Sequence, residues 1–231
     1  MMKFDAVVLG GGIVGVSVAV HLQQRGRAVA LVDRKVPGSE TSLGNAGLIQ
    51  REGVYPYAFP RSINELLIYA LNRAPDARYH PSAMPRISPF LLSYWWHSEP
   101  ARHAQIARAN ATLIQHCVAE HRVLAAAAGV SGLLRQNGWI QVFHTRVKQD
   151  HELRDAERCS REFGVEYESL DAERLYALEP GLNATLVGGL RYTSAASVSD
   201  PEALVQAYAR HFEALGGRVF IGDAATLVPG W

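Results

Sequence analysis

The sequence predicts an α/β fold in which a parallel βαβ unit is interrupted by a long α+β insertion. Three observations predict it. Residues 4–9 (FDAVVL) form a short apolar run that stops at three consecutive glycines, Gly10, Gly11 and Gly12. Residues 13–25 then follow helical spacing, and residues 27–33 (RAVALVD) form a second apolar run. After residue 50 this regular pattern gives way to prolines and aromatics, and it returns only near residue 195.

The elements follow in order. Residues 4–9 read as a buried parallel strand, because both faces of such a strand are covered and the run need not alternate. Residues 13–25 read as its crossover helix, closed by Gly26. With the strand at 27–33 they make one right-handed βαβ unit. Residues 38–47 are a Ser, Thr, Asn and Gly loop. A helix is expected over 62–72, and Trp95-Trp96 sit in a second short helical piece. Residues 101–128 are expected to form one long helix, since Ile106, Leu113, Cys117, Leu124 and Ala128 recur at helical steps. Asn137-Gly138, flanked by 133–135 and 139–143, signals a two-residue hairpin. A charged helix at 148–163 precedes a strand at 165–169, and Asp171 caps a helix that ends before Pro180-Gly181. A strand at 189–192 runs into a loop of small residues. Asp200-Pro201-Glu202 combines an N-cap, a proline at the first helical position and an acidic first turn, which starts a helix reaching Leu215. Gly216-Gly217 stop it. Strands are expected at 218–221 and again at 224–228. No internal repeat is visible.

Composition excludes several classes. Of 231 residues, 48% are apolar and 19% charged, the profile of a soluble globular chain with a full core. A net charge of +1 offers no field for nucleic acid. No apolar run is long enough for a transmembrane segment. Asp5 and the three glycines interrupt the apolar N-terminus and argue against a signal peptide. Cys117 and Cys159 are too few for a disulfide framework or a zinc site, so a reducing, cytoplasmic setting is expected. The histidines form no metal-binding pattern, and no metal is expected.

The segment from Gly10 to Gly15 matches G-x-G-x-x-G. Gly10 permits the turn out of the strand, Gly12 lets the backbone approach a pyrophosphate, and Gly15 lets helix and strand pack closely. The helix start, at Ile13 and Val14, presents free N–H groups and the positive dipole end to phosphate. Asp33 closes the second strand, eighteen residues past Gly15, where a carboxylate can accept from a ribose hydroxyl. Arg34 beside it joins the candidates. An acid at 33 disfavours a 2′-phosphate and hence NADP. A simple NAD domain would continue with further βα units. Here the loop with Thr41, Ser42, Asn45, Ala46 and Gly47 follows, then the insertion, so the plain NAD pattern is not continued.

The residues Val8 to Val16, Glu40-Thr41-Ser42 and Asn45-Ala46-Gly47-Leu48-Ile49 together resemble the D-amino-acid oxidase superfamily of flavoenzymes, on its D-amino-acid dehydrogenase branch. Similar in kind are the segment from Tyr55 to Pro60, the Tyr94-Trp95-Trp96 cluster, and Asp200-Pro201 with the later Gly216-Gly217. The glycine motif is common to many flavoproteins; the Thr-Ser-x-x-Asn-Ala-Gly run is much more specific. The resemblance implies a Rossmann-like FAD-binding domain from residues 1–50 plus 195–231, with 51–194 an inserted substrate or cap domain. Both are incomplete, because members of that family are much longer and their C-terminal half completes the flavin site and supplies the arginine for the substrate carboxylate. It implies that Thr41, Ser42, Asn45, Ala46 and Gly47 approach the pyrophosphate, ribityl chain or flavin ring, and that Ala224 touches the adenine through its backbone. The implied reaction is oxidative deamination of a D-amino acid by hydride transfer to flavin, with a quinone or another carrier taking the electrons and a peripheral place on the inner face of the membrane. A glycine- or sarcosine-type oxidase and a non-catalytic nucleotide-binding fragment stand as alternatives. Tyr55 and Tyr57 are pocket candidates, although packing is the more ordinary role for such aromatics. No catalytic residue is singled out.

Overall fold

The computed structural model describes residues 3–74, 77–182 and 185–226. In chain order the elements are β1 (Ala6–Leu9), α1 (Ile13–Gln24), β2 (Val29–Asp33), β3 (Leu48–Ile49), α2 (Ile63–Ala70), α3 (Met84–His97), α4 (Pro100–Ile114), α5 (Cys117–Ala127), β4 (Leu134–Arg135), β5 (Trp139–Phe143), α6 (Arg146–Phe163), β6 (Tyr167–Asp171), α7 (Ala172–Leu178), β7 (Gly188–Tyr192), β8 (Ala196–Val198), α8 (Pro201–Ala214) and β9 (Arg218–Ile221). Side-chain caps start several helices. Thr145 accepts from Lys148 N, Asp171 from Arg174 N and Asp200 from Ala203 N.

Three small sheets result. β1, β2 and β9 are parallel, in the order β1-β2-β9, with Leu9 opposite Val32 and Val32 opposite Phe220. β9 therefore returns from the far end of the chain to sit beside β2. The crossover α1 and the late helix α8 pack together on one face of this sheet. Val16, Val20, Leu31, Val205, Tyr208 and Phe212 are fully buried there. β5, β7 and β6 form an antiparallel sheet with α6 and α7, around a second core that includes Phe143, Ala156, Val165 and Leu190. β3, β8 and β4 form a small antiparallel sheet whose Ile49, Ala196 and Val198 join the core under α1 and α8.

Several sequence expectations change. The long helix at 101–128 is two helices, broken at Gln115 and His116. Its halves serve different cores: Ala111 and Ile114 pack into the inserted lobe, whereas Val118 and Leu124 pack beneath α1 and α8. One straight axis cannot reach both. The hairpin does not form either, because β4 pairs with β8 and β5 pairs with β7. Gly138 has the positive φ (70°) that a tight turn needs, but a Cβ there would stand 2.2 Å from Tyr192 O. The turn hands the chain from one sheet to the next. The strand expected at 165–169 runs from Tyr167 to Asp171, and Trp95-Trp96 end a helix that begins at Met84 and contains Pro89. The small-residue loop after β7 contains β8, whose partners β3 and β4 lie far away in sequence. Of the strand expected at 224–228 the described part, Ala224–Thr226, is a turn of 3-10 helix; residues 227–231 lie outside the described residues, as does Pro75.

Candidate functional site

The glycine turn sits at the C-terminal end of β1. Gly10, at φ 103°, donates to Val32 O at 2.8 Å and turns the chain out of the sheet. The Gly11 N–H donates to Asp33 Oδ2, so the carboxylate at the end of β2 clasps the turn itself. Asp33 Oδ1 accepts from Lys35 N at 3.1 Å. A Cβ on Gly15 would stand 1.9 Å from Gly10 O, which is why helix and turn can approach only at a glycine. Gly12 caps α1 without a side chain, and the first turn of α1 carries no acidic residue. Its leading N–H groups have no intrahelical acceptor. The side-chain space at Gly12 is open, with Thr41 Oγ1 the nearest atom at 3.7 Å. A pyrophosphate fits this arrangement: free donors, a positive helix end and no Cβ in the way.

The loop after β2 folds over the turn. Gly38 N donates to Gly11 O at 3.0 Å. A cleft of about 40 Å³ is lined by Gly11, Gly12, Asp33, Ser39, Glu40 and Thr41, among others. A second cavity of about 140 Å³ is bounded by Ile13, Ser42, Asn45, Gly47, His121 and Val198, among others. Asn45 Oδ1 accepts from Gly47 N at 2.8 Å, and Gly47 O accepts from Val198 N at 2.7 Å, which ties the loop to β8. A larger cavity of about 390 Å³, between α8 and the edge at Ile221, contains none of the glycine-turn residues.

The candidates thus separate. Gly10, Gly12, Ile13, Gly15, Asp33, Thr41, Ser42, Asn45 and Gly47 converge around one turn and its two cavities. Val14 and Ala46 lie beside them but face solvent. Arg34 turns to Glu40, with Nη2 2.9 Å from Oε2, and the hydrogen bond from Arg34 holds the Glu40 carboxyl below its ordinary range. Its guanidinium is committed to the loop. Ala224 is exposed in its 3-10 turn, two residues beyond the point where Gly222 N donates to Asp33 O. It leaves the sheet at the same C-terminal end as the glycine turn, although β9 and β1 lie at opposite edges. Tyr55 belongs to the inserted lobe. Its hydroxyl donates to Glu162 Oε2 at 2.7 Å, its ring stacks on His103, and burial, then the Glu162 bond, pushes it up to about 12. Tyr57 is exposed, and its carbonyl accepts from Tyr94 Oη at 2.8 Å. Trp95 and Trp96 lie under Arg61 and Arg102.

Gly11, Gly38 and His121 line the site without having been singled out from sequence. The spacing of Gly11 inside the motif gave a signal, since it is the residue that Asp33 clasps. His121 lies on α5 with Nδ1 3.2 Å from Tyr208 Oη, and burial holds its pKa below the ordinary histidine value. Nothing in its neighbourhood on α5 distinguishes it from a surface histidine. Among the described residues no His, Cys, Asp and Glu cluster could hold a metal.

A parallel sheet with a glycine turn on a helix N-terminus and an answering acid defines a dinucleotide-binding protein. Comparison narrows the class. The family model described as FAD dependent oxidoreductase (DAO) matches residues 5–230. The chain belongs to this family, and its cofactor is FAD. It is 32% identical over 226 residues to a D-amino-acid oxidase of Bradyrhizobium diazoefficiens, covering 95% of this chain and 52% of that protein. It is 34% identical over 194 residues to a D-amino acid dehydrogenase of Cereibacter sphaeroides, covering 81% and 44%. The fold is similar to glycine oxidase from Geobacillus kaustophilus, with a TM-score of 0.59, 19% identity and coverage of 95% and 47%. The chain spans about half the length of the curated relatives it matches.

Proposed function

We propose that the chain grips the diphosphate of FAD between the N-terminus of α1 and the 38–47 loop, with Asp33 turned towards the adjacent ribose. The whole protein then oxidatively deaminates D-amino acids. The observation that carries this reading is the turn from Gly10 to Gly15, opened by Gly12 and clasped by Asp33, in a chain with relatives named for D-amino acids. When bound, the flavin supplies the acceptor for the Cα hydride. The product imine is hydrolysed to a 2-oxo acid and ammonia. The chain's own residues bind and orient. The α1 N–H groups neutralise phosphate charge, Thr41, Ser42 and Asn45 offer polar contacts, and Gly47 with Val198 holds the loop against β8. Residues 1–50 with 195–231 carry the cofactor, and 51–194 forms the substrate side.

Electrons pass to a quinone or another carrier, at the inner face of a membrane. No described helix is long and apolar enough to cross one. Peripheral contact is supported by α2 and α3, which bury no residue and expose Ile63, Leu67, Phe90, Leu92 and Trp96 beside Arg61 and Arg86. Both cysteines are free, which suits the cytoplasm. A second reading, with oxygen as acceptor, is favoured by the relative named an oxidase. The test is to purify the protein, record its flavin spectrum, and supply D-amino acids, glycine and sarcosine with either a quinone analogue or oxygen. Bleaching by D-amino acids with quinone reduction supports the first reading; peroxide supports the second. Colourless protein that takes up no added FAD defeats both.

A further inference from the structure

Among the residues that bound the cavity of about 140 Å³, none is a Lys, Arg, Asp or Glu, and three carry polar side chains: Ser42 and Asn45 of the loop and His121 of α5. Such a lining suits an uncharged ligand with hydroxyls. A phosphate or a carboxylate would lie there without a partner charge. The state of the His121 ring follows from its neighbour on α8. Tyr208 is fully buried, and its hydroxyl donates to His121 O at 3.0 Å. A phenol has a single proton, and that bond uses it. His121 Nδ1 stands 3.2 Å from the same Oη, so Nδ1 carries the hydrogen and donates to the oxygen. The ring stacks on Tyr208 with centroids 6.0 Å apart, and burial favours its neutral form. Nε2 is then a lone-pair acceptor. It has no protein partner among the described residues, and neither have Ser42 Oγ and Asn45 Nδ2. An acceptor and two donors thus border one cavity with these hydrogen bonds unmade.

We infer that His121 is a cofactor-binding residue, whose Nε2 accepts a hydrogen bond from a hydroxyl of the polyol chain that joins the diphosphate of FAD to the flavin ring. This rests on the FAD reading above. FAD is a linear molecule, with adenosine on one side of its diphosphate and the polyol on the other. Gly12 and Asp33 line the cleft of about 40 Å³, whereas Ile13, the first residue of α1, lines the cavity that holds His121. With the adenosine ribose at Asp33, the chain that continues past the diphosphate is the polyol. Its hydroxyls both donate and accept, which matches Nε2, Ser42 and Asn45 together. The bond to Tyr208 fixes the tautomer, so the acceptor is in place before any ligand arrives.

The experiment uses the full 231-residue chain with FAD and ADP as probes, since ADP has the diphosphate but neither polyol nor ring. Nitrogen NMR of isotope-labelled histidine should show His121 as the Nδ1–H tautomer at neutral pH, and FAD, not ADP, should shift its Nε2 resonance. His121→Phe keeps a ring against Tyr208 and removes both nitrogens. In titration calorimetry it should weaken FAD about fivefold to tenfold and leave ADP within about twofold. His121→Gln, whose amide oxygen can replace the Nε2 acceptor, should recover most of the loss. Unaltered ADP binding also shows that a variant is folded. Equal losses for FAD and ADP overturn the inference, as does an Nε2–H tautomer or an imidazolium in the free chain. FAD affinity untouched by His121→Phe overturns this inference alone, whereas wild-type chain that takes up no FAD defeats the FAD reading and this inference with it.

Discussion

The β1-β2-β9 and β5-β7-β6 sheets each hold three strands, yet they meet water in different ways. In the antiparallel sheet of the inserted lobe, Phe143, Leu190 and Tyr192 enter a core with α6. On its other face Ile140 and Leu170 pack with Leu175 of α7 and with Leu186, and Glu168 stands opposite Arg191 with a 3.7 Å ion pair. In the parallel sheet the equivalent outward row is Leu9, Val32 and Phe220. Antiparallel sheets tolerate one wet face, because side chains alternate between the two environments; a parallel sheet is built for two dry ones. The inserted lobe covers both faces of its sheet with its own elements, α6 on one and α7 on the other, whereas in the nucleotide-binding lobe α1 and α8 cover one face and leave Val7, Leu9 and Phe220 exposed on the other.

The largest expected effects test burial on the finished faces. Leu31→Ala and Leu190→Ala should each lower stability by about 2–5 kcal/mol in urea titrations, since both side chains are fully buried. Leu9→Ala, on the bare face, should cost less than about 1 kcal/mol in the same assay. A cost for Leu9→Ala equal to that for Leu31→Ala would show that the two faces are equally covered and break the comparison.

Next in size is Gly15→Ala. Its Cβ would collide with the Gly10 carbonyl, a backbone atom that cannot swing away. We expect a loss of about 1–3 kcal/mol in stability, together with loss of FAD uptake, measured by denaturant midpoint and flavin fluorescence. Unchanged FAD uptake would separate the turn from the cofactor. Asp33→Asn should weaken FAD binding roughly tenfold, equivalent to about 1.4 kcal/mol, because it removes a charge-assisted acceptor from the Gly11 N–H. Titration calorimetry would read it.

The smallest effect concerns pH in the inserted lobe. Burial holds the Glu52 carboxyl above its ordinary range, opposed in part by its hydrogen bonds, including one from Trp139 Nε1 at 2.6 Å. The folded chain thus binds this proton more tightly than the unfolded chain does. Stability from Glu52 is present below the ordinary Glu range and is lost as pH rises through the raised folded value. Glu52→Gln should flatten that decline in a series of urea midpoints from acid to neutral pH. An unchanged slope would assign the pH dependence to another group.

Much of the nucleotide-binding lobe was legible because its signals are local. The glycines at 10, 12 and 15, the acid at 33 and the Asp200-Pro201-Glu202 helix start each act within a few residues of themselves. The structure brings Thr41, Ser42, Asn45 and Gly47 to the same place as that turn. Arg34 pairs with Glu40 of the loop, a contact that the sequence around position 34 does not signal. Ala224 was placed in a strand, since nothing in its local sequence marks the 3-10 turn. The hairpin failed for a different reason. Asn137-Gly138 specifies a tight turn but not which strands the flanking residues join, and β7 and β8 lie some fifty to sixty residues further on.

By itself the sequence determined where the chain turns, where helices such as the one after Asp200 start, and which backbone groups stand free at the head of α1, because these depend on side-chain volume and donors close at hand. Only the tertiary structure decided that one helix becomes two, that β9 pairs with β2, and that Leu9 and Phe220 are left exposed. Those outcomes depend on which distant surfaces meet. An apolar residue reads the same in sequence whether or not another layer comes to cover it.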